Sequence, residues 1–395
     1  MEEWKEYKLN DVCEVINGRA YKQEELLEEG KYRVLRVGNI FQGNNWYYSD
    51  IELPEDKYCY NGDLLYAWSC GFAPYIWKGE KTIYHYHIWK LKENKEVVDR
   101  KFLYFYLIVN TKRFLGGTHG SVMLHLTKKE MEEQLLKLPS LKTQRQIASI
   151  LSSLDDKIEL NRKINANLEA QAQALFKSWF VDFEPFKDQP FVESELGMIP
   201  KGWRVGTFLD NVNVMPGGTP STNKTEYWTD GTIPFFSPKD VNGVYCFKTE
   251  KNITELGLNN CSSHLYPKDT LFITARGTVG KLALAGLPMA MNQSNYALVA
   301  KEGISKFYLY LLAQTLVSVL LKKANGAVFS AITTRDFNEP TIIPPTLDIK
   351  HFDNLVSPIF NKIYQTEQES RRLASLRDAL LPRLMSGELK VNEVI

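Results

Sequence analysis

Residues Leu138–Phe186 read LPSLKTQRQIASILSSLDDKIELNRKINANLEAQAQALFKSWFVDFEPF. Within them Ile147, Leu151, Leu154, Ile158, Asn161, Asn165, Leu168, Ala172, Leu175 and Trp179 recur at alternating spacings of four and three. That is the 3.5-residue repeat of a coiled-coil seam, with two asparagines in its middle core slots. A second stretch keeps the same phase through Phe352, Val356, Ile359, Ile363, Thr366, Ser370, Leu373, Arg377, Leu380 and Leu384. Antiparallel pairing sets the asparagines against Thr366 and Ser370, so polar core groups meet polar groups and the chain returns to its start. A helix from about Gln144 to Phe180 would be about 55 Å long at about 1.5 Å per residue. The expectation is a rigid strut that acts as a ruler.

Outward from these helices the chain repeats itself. Trp4, Asp11 and Gly18 match Trp203, Asp210 and Gly217; NGDLLYAW (Asn61–Trp68) matches PKDTLFIT (Pro267–Thr274). His119–Met131 then matches Asn325–Phe337, and LPSLKTQRQI matches IPPTLDIKHF. Several matches in one order point to an internal duplication. Each copy opens with short β-branched and aromatic runs such as YRVLRV, TIYHYHIW and DTLFIT, bounded by turn residues. Each then has a helical stretch, Arg100–Phe114 or Ile304–Lys323, and one long helix. The expected fold class is α+β: two similar globular domains separated by two long antiparallel coiled-coil helices, in a pseudo-two-fold internal repeat.

The 395 residues, 44% hydrophobic and 24% charged, suffice for two or three domains and exclude a disordered chain. With 48 Lys+Arg against 47 Asp+Glu, a wholly basic nucleic-acid coat protein is excluded, though not a local basic patch. Cys13, Cys59, Cys70, Cys246 and Cys261 form no C-x-x-C pair, which argues against a disulfide framework or zinc site and for a reducing compartment. MEEWKEYKLNDV has no signal-peptide pattern, and the apolar stretches Phe102–Val109 and Phe307–Leu321 fall short of a bilayer span. A cytoplasmic protein is expected.

Catalytic motifs are scarce. ARGTVGKL (Ala275–Leu282) lacks the first glycine and the hydroxyl residue of a phosphate-binding loop, and the base-gripping tetrapeptides of amino-methyltransferases do not occur. Glu184–Asp188 reads as a solvated helix end. His85 and His87 would share one strand face, more an aromatic face than a metal site, because no third ligand is identifiable. No catalytic residue, metal site or cofactor is therefore expected in this chain. Basic and amide residues do cluster beside glycine turns: Arg19, Arg36, Asn39 and Lys128 in the first copy, with His85 in its aromatic run, and Lys224, Lys239, Arg276, Lys281, Asn292, Gln293 and Arg335 in the second. Arginine clamps guanine, asparagine or glutamine clamps adenine, and lysine neutralises phosphate, so these twelve are the candidate DNA-binding residues.

Leu138–Phe186 closely resembles the central conserved region of type I restriction–modification specificity subunits, above all in its Q-R-x-I-A start (Gln144–Ala148) and FKSWFVDF end (Phe176–Phe183). GMIPKGW (Gly197–Trp203) and LLPRLMSGEL (Leu380–Leu389) extend the resemblance over nearly the whole chain. GGTPS, ARGTVG and NQS also look like segments of that family's recognition domains, whereas NGRAY, WSCGFAP and YHYHIW depart from them. The resemblance implies target-recognition domains at 1–141 and 187–346, the second entered through a linker, and conserved long helices at 142–186 and 347–395. It implies a non-catalytic subunit in phage defence that reads a bipartite, asymmetric duplex DNA site, one half per domain. It further implies two adenine-N6 methyltransferase subunits and ATP-dependent restriction subunits as partners, with S-adenosylmethionine, ATP and Mg²⁺ held by them. Phe176, Trp179 and Phe180 are candidates for the partner-subunit interface, Trp179 equally for the core. A non-catalytic coiled-coil scaffold, a self-contained enzyme, and a methylation-only or both-sides-cutting relative remain as alternatives.

Overall fold

A computed structural model describes residues 4–41, 43, 45–69, 71–115, 126–323 and 331–394. The matched stretches that begin at His119 and Asn325, and Cys70, lie partly or wholly outside them. The chain divides into two units, one of Met1–Lys157 with Leu373–Ile395, the other of Ile158–Arg372.

Both units are built on one plan. In the first, Lys5–Lys8 pairs antiparallel with Leu135–Leu138; in the second, Arg204–Thr207 pairs antiparallel with Pro340–Ile343. After each opening strand a short helical turn is closed by an aspartate: Asp11 accepts from the Lys8 N–H at 3.1 Å, and Asp210 from the Thr207 N–H at 2.7 Å. The first unit then forms two four-stranded sheets, Cys13–Asn17, Ile88–Glu93, Leu64–Ala67 and Ala73–Ile76 in one, Tyr47–Ser49, Tyr32–Leu35, Thr82–Tyr84 and Tyr58–Cys59 in the other. The second unit has a five-stranded sheet (Val212–Pro216, Asn295–Ala300, Leu271–Thr274, Leu282–Ala285, Tyr245–Cys246) and a three-stranded one (Lys251–Ile253, Ile233–Phe236, Ala290–Met291). The helices Arg100–Leu115 and Lys306–Lys323 follow, close to their expected bounds.

One correspondence needs correction. Leu64 faces Leu91 as Leu271 faces Leu298, so Leu64 answers to Leu271, whereas the sequence match sets it against Thr270. Leu64–Ala67 and Leu271–Thr274 are buried on both faces. Neither shows the alternation that pins register, and a one-residue slip exchanges the two faces.

The long helices are Leu141–Phe180 and Thr346–Met385, 40 residues each. Within the second unit they run antiparallel, Asn161 lying beside Ser370 and Phe176 beside Phe352. The expected polar layer is present: the Asn161 amide donates to Glu369 at 2.8 Å and to Ser370 at 3.2 Å, and the Thr366 hydroxyl donates to Asn165. In the first unit Ile147 and Leu151 share a core with Leu384, while Arg377 donates to Asp155 at 2.6 Å. The seam drifts from a strict heptad, however. Phe176 and Phe180 are buried where Leu175 and Trp179 are only partly so, and Phe360 is buried in place of Ile359. A helix with 3.6 residues per turn slips about 20° per heptad against a 3.5-residue repeat, which carries the buried face one residue onward. Leu154, Ile158, Leu168, Leu373 and Leu380 are half-buried, and Val356 and Ile363 wholly buried.

Glu367 fastens the second unit's sheet to its long helix. Its two carboxylate oxygens accept the Val244 N–H at 2.9 Å and the Tyr245 N–H at 3.0 Å. Gly243, at φ +122°, lets that backbone come close, since a Cβ there would lie 2.6 Å from the carboxylate. Burial, opposed by the two N–H donors and aided by Glu169, pushes the Glu367 carboxyl up to about 7. A raised carboxyl favours folding fully below about pH 4.5, and that contribution is lost as pH rises through about 7. Glu367→Gln, which has only one acceptor for two N–H groups, is expected to cost about 1–3 kcal/mol at neutral pH. The gap from wild type should widen on acidification to pH 5, where the Glu367 carboxyl is protonated in the folded state, as urea titrations at the two pH values would read; a constant gap would remove this role.

Candidate nucleic-acid interface

The second unit carries a groove of about 540 Å³ whose floor is aromatic and whose rim is polar. Trp228 and Phe235 meet edge to face at 5.4 Å on the floor, and Lys251 lies 5.6 Å above the Trp228 ring. One rim is the loop after Leu271–Thr274, which Gly277 at φ +81° and Gly280 at φ +82° turn back on itself. The Gly280 N–H closes that loop on the Thr274 carbonyl at 2.8 Å. Arg276 projects from it, exposed and, among the described residues, without a carboxylate partner. The other rim is the turn Asn292–Ser294. Lys239 is also on the rim, 3.6 Å from Glu250 in a pair exposed enough to be worth little.

Of the candidate residues in this unit, the fold thus gathers Lys239, Arg276, Asn292 and Gln293. Lys224 lies on the loop beside the groove, with its ammonium 3.0 Å from the Tyr227 hydroxyl. Lys281 lines a separate recess against Glu169, Lys177 and Gln314. Arg335 is exposed on the short helix Thr334–Asn338. Asn292 is partly spent on the fold, because its Oδ1 accepts the Ser294 N–H at 3.0 Å and the Asn295 amide at 2.6 Å.

In the first unit the candidates are more committed. Arg19 grips Glu25 through two bonds of 2.9 and 2.7 Å, which holds that carboxyl down at about 2, and lies 5.1 Å from the Tyr21 ring. Asn39 accepts the Arg36 N–H at 3.0 Å and donates to the Asn45 carbonyl at 3.0 Å, so it closes a turn. The Arg36 guanidinium stacks 4.2 Å from the Tyr47 ring and reaches the same carbonyl at 3.3 Å. Lys128 pairs with Glu132 at 3.4 Å. His85 and His87 do not share a strand face as expected; they lie in the turn between Thr82–Tyr84 and Ile88–Glu93, ring centres 4.8 Å apart. Burial first, then His87 and Arg36, pushes the His85 imidazole down to about 4, so it is neutral at pH 7. Among the described residues no three His, Cys, Asp or Glu side chains are grouped to hold a metal ion, and no helix is long and apolar enough to cross a membrane.

Phe176 and Phe180 are interior, 5% and 7% exposed, and pack on Tyr308, Trp203 and Phe352. Both belong to the core cluster of this unit, and Trp179 packs partly buried beside them. Sequence reasoning passed over Trp228, Phe235 and Tyr86, whose signal was an aromatic flanking a turn.

A family profile described as "Type I restriction modification DNA specificity domain" matches residues 1–170 and 200–373. The HindI specificity subunit of Haemophilus influenzae is 26% identical over 468 aligned positions, covering 98% of this chain and all of that protein. The MjaIX specificity subunit of Methanocaldococcus jannaschii is 32% identical, over 76% of this chain and 71% of the relative. A crystal structure of a type I restriction–modification system S subunit from M. genitalium has the same fold, with TM-score 0.57 and 17% identity over 97% of this chain and 96% of that one.

Proposed function

This chain belongs to the type I restriction–modification DNA specificity family, and from that premise we propose that it binds a bipartite, asymmetric duplex site, one half per unit, with the gap set by the long helices. It serves as the non-catalytic subunit on which two adenine-N6 methyltransferase subunits and ATP-dependent restriction subunits assemble. S-adenosylmethionine, ATP and Mg²⁺ belong to those partners. The observation that carries this reading is the groove of the second unit. There an arginine that has no carboxylate partner among the described residues, a lysine and two carboxamides rim a Trp–Phe floor. Those groups suit base edges and phosphate together. Two modest half-sites joined in one chain gain from effective concentration, so a net charge of +1 is compatible with tight binding.

Long-read adenine methylation mapping of the source cell, with and without this gene, tests the proposal. Deletion is expected to erase one two-part motif; an unchanged methylome would sink the reading. Arg276→Ala is expected to weaken discrimination at one position of one half-site by about 1–3 kcal/mol. A uniform loss over all sequences, with a shallower salt dependence, would instead make Arg276 a phosphate contact.

A further inference from the structure

The two units place equivalent turns at the candidate interface. Tyr84 ends a strand parallel to Tyr32–Leu35, opposite Leu35, and Met291 ends one parallel to Ile233–Phe236, opposite Phe236. The next residue donates back to that partner in both: His85 N–H to Leu35 and Asn292 N–H to Phe236, each at 2.9 Å. The same residue closes the turn with its side chain, since His85 Nδ1 accepts the His87 N–H at 3.4 Å as Asn292 Oδ1 accepts the Ser294 N–H at 3.0 Å. Its carbonyl accepts the N–H of Ile88 or Asn295, and the third residue's carbonyl accepts that of Trp68 or Ala275. His85-Tyr86-His87 therefore stands where Asn292-Gln293-Ser294 stands, although the two tripeptides share no residue.

In each turn the first side chain is used to close it and the third carbonyl is used by the neighbouring strand. The apex residue is the one directed outward: Tyr86 is 39% exposed, and Gln293 is exposed at the groove rim. Both apices are held in place. Tyr86 donates its N–H to the Arg19 carbonyl at 3.0 Å and accepts the Trp68 indole N–H on its carbonyl at 2.7 Å. The Gln293 carboxamide oxygen accepts the Thr219 hydroxyl.

We infer that Tyr86 and Gln293 are the equivalent specificity-determining residues of the two units, each presented by its turn to a base edge of its own half-site. The inference rests on the DNA-recognition reading above. A carboxamide pairs with adenine through one donor and one acceptor. A phenol beside Trp68 and His87 offers an apolar ring and a single hydroxyl, which suits the methyl-bearing edge of thymine. The difference between the apices makes the site asymmetric.

The test uses the complex isolated through a tag on this chain, as wild type, Tyr86→Ala and Gln293→Ala. Its substrates are duplexes in which each base of the mapped motif is changed in turn. Each variant is expected to lose roughly tenfold to a hundredfold of discrimination at one position of one half-site, Tyr86→Ala in one half and Gln293→Ala in the other. Discrimination unchanged at every position would overturn the inference, and so would an equal loss across both halves, which misfolding or lost phosphate contact would give. If deletion of the gene leaves the methylome unaltered, the DNA-recognition reading itself fails, a result separable from intact recognition by both variants.

Discussion

Phe180→Ala is expected to destabilise the unit of residues 158–372 by about 3–5 kcal/mol. Its ring lies 4.8 Å from Phe352, 5.0 Å from Tyr308, 5.1 Å from Phe176 and 5.8 Å from Trp203, centre to centre. These neighbours come from both long helices, from Lys306–Lys323 and from the segment that enters the second sheet. Collapse around the lost ring would require all four to move, so the cavity persists and adds to the lost transfer energy. Urea unfolding monitored by tryptophan fluorescence should show a lower midpoint at unchanged slope. A cost under about 1 kcal/mol would mean that the ring is not core. Because the side chain is interior, a folded Phe180→Ala chain should still copurify with its partner subunits, which an exposed docking residue would not allow.

The second large effect is expected from a single methyl group. A Cβ on Gly217 would lie 2.0 Å from the Asn292 carbonyl oxygen, and one on Gly18 would lie 2.2 Å from that of His85. Neither glycine has a positive φ, so the constraint is the close approach of two backbones and not conformational freedom. Gly217→Ala must therefore push the Asn292–Ser294 turn away from its strand, at a cost of about 1–3 kcal/mol in stability from overpacking. The displaced turn should abolish methylation of the wild-type motif, while binding to duplexes keeps its preference within the first unit's half. Gly18→Ala should do the converse. Wild-type methylation in both variants would show that these turns do not need their positions.

The duplication, the long helices and the polar layer were legible because each is a periodic or repeated signal. Asn161 and Thr366 do meet polar partners at mid-seam. Strand register was not legible where Leu64–Ala67 and Leu271–Thr274 are buried on both faces. The candidate interface was legible by residue type and poorly by role. Arg19, Asn39 and His85 have the right chemistry for bases, but Glu25, Asn45 and His87 engage them. Such commitments depend on neighbours that a loop brings close, and composition does not reveal where a loop folds back. Arg276 and Gln293 reach the groove rim because two glycines and a strand-end turn place them there.

The division of the chain between its units has a consequence for its synthesis. Residues Ile158–Arg372 form one continuous unit, whereas the first unit joins Met1–Lys157 to Leu373–Ile395. Its core includes Leu381, Leu384 and Met385 beside Leu136, Ile147 and Leu151. On the ribosome the second unit has all its residues while the first still waits for the apolar side chains that complete it. The part made first is thus finished last, its contacts spanning more than 200 residues of sequence, and such long-range closure is slow and leaves apolar surface exposed meanwhile. A nascent chain that pauses before Leu381 carries one finished unit and one open one, and the open one is the segment that a chaperone would have to shield.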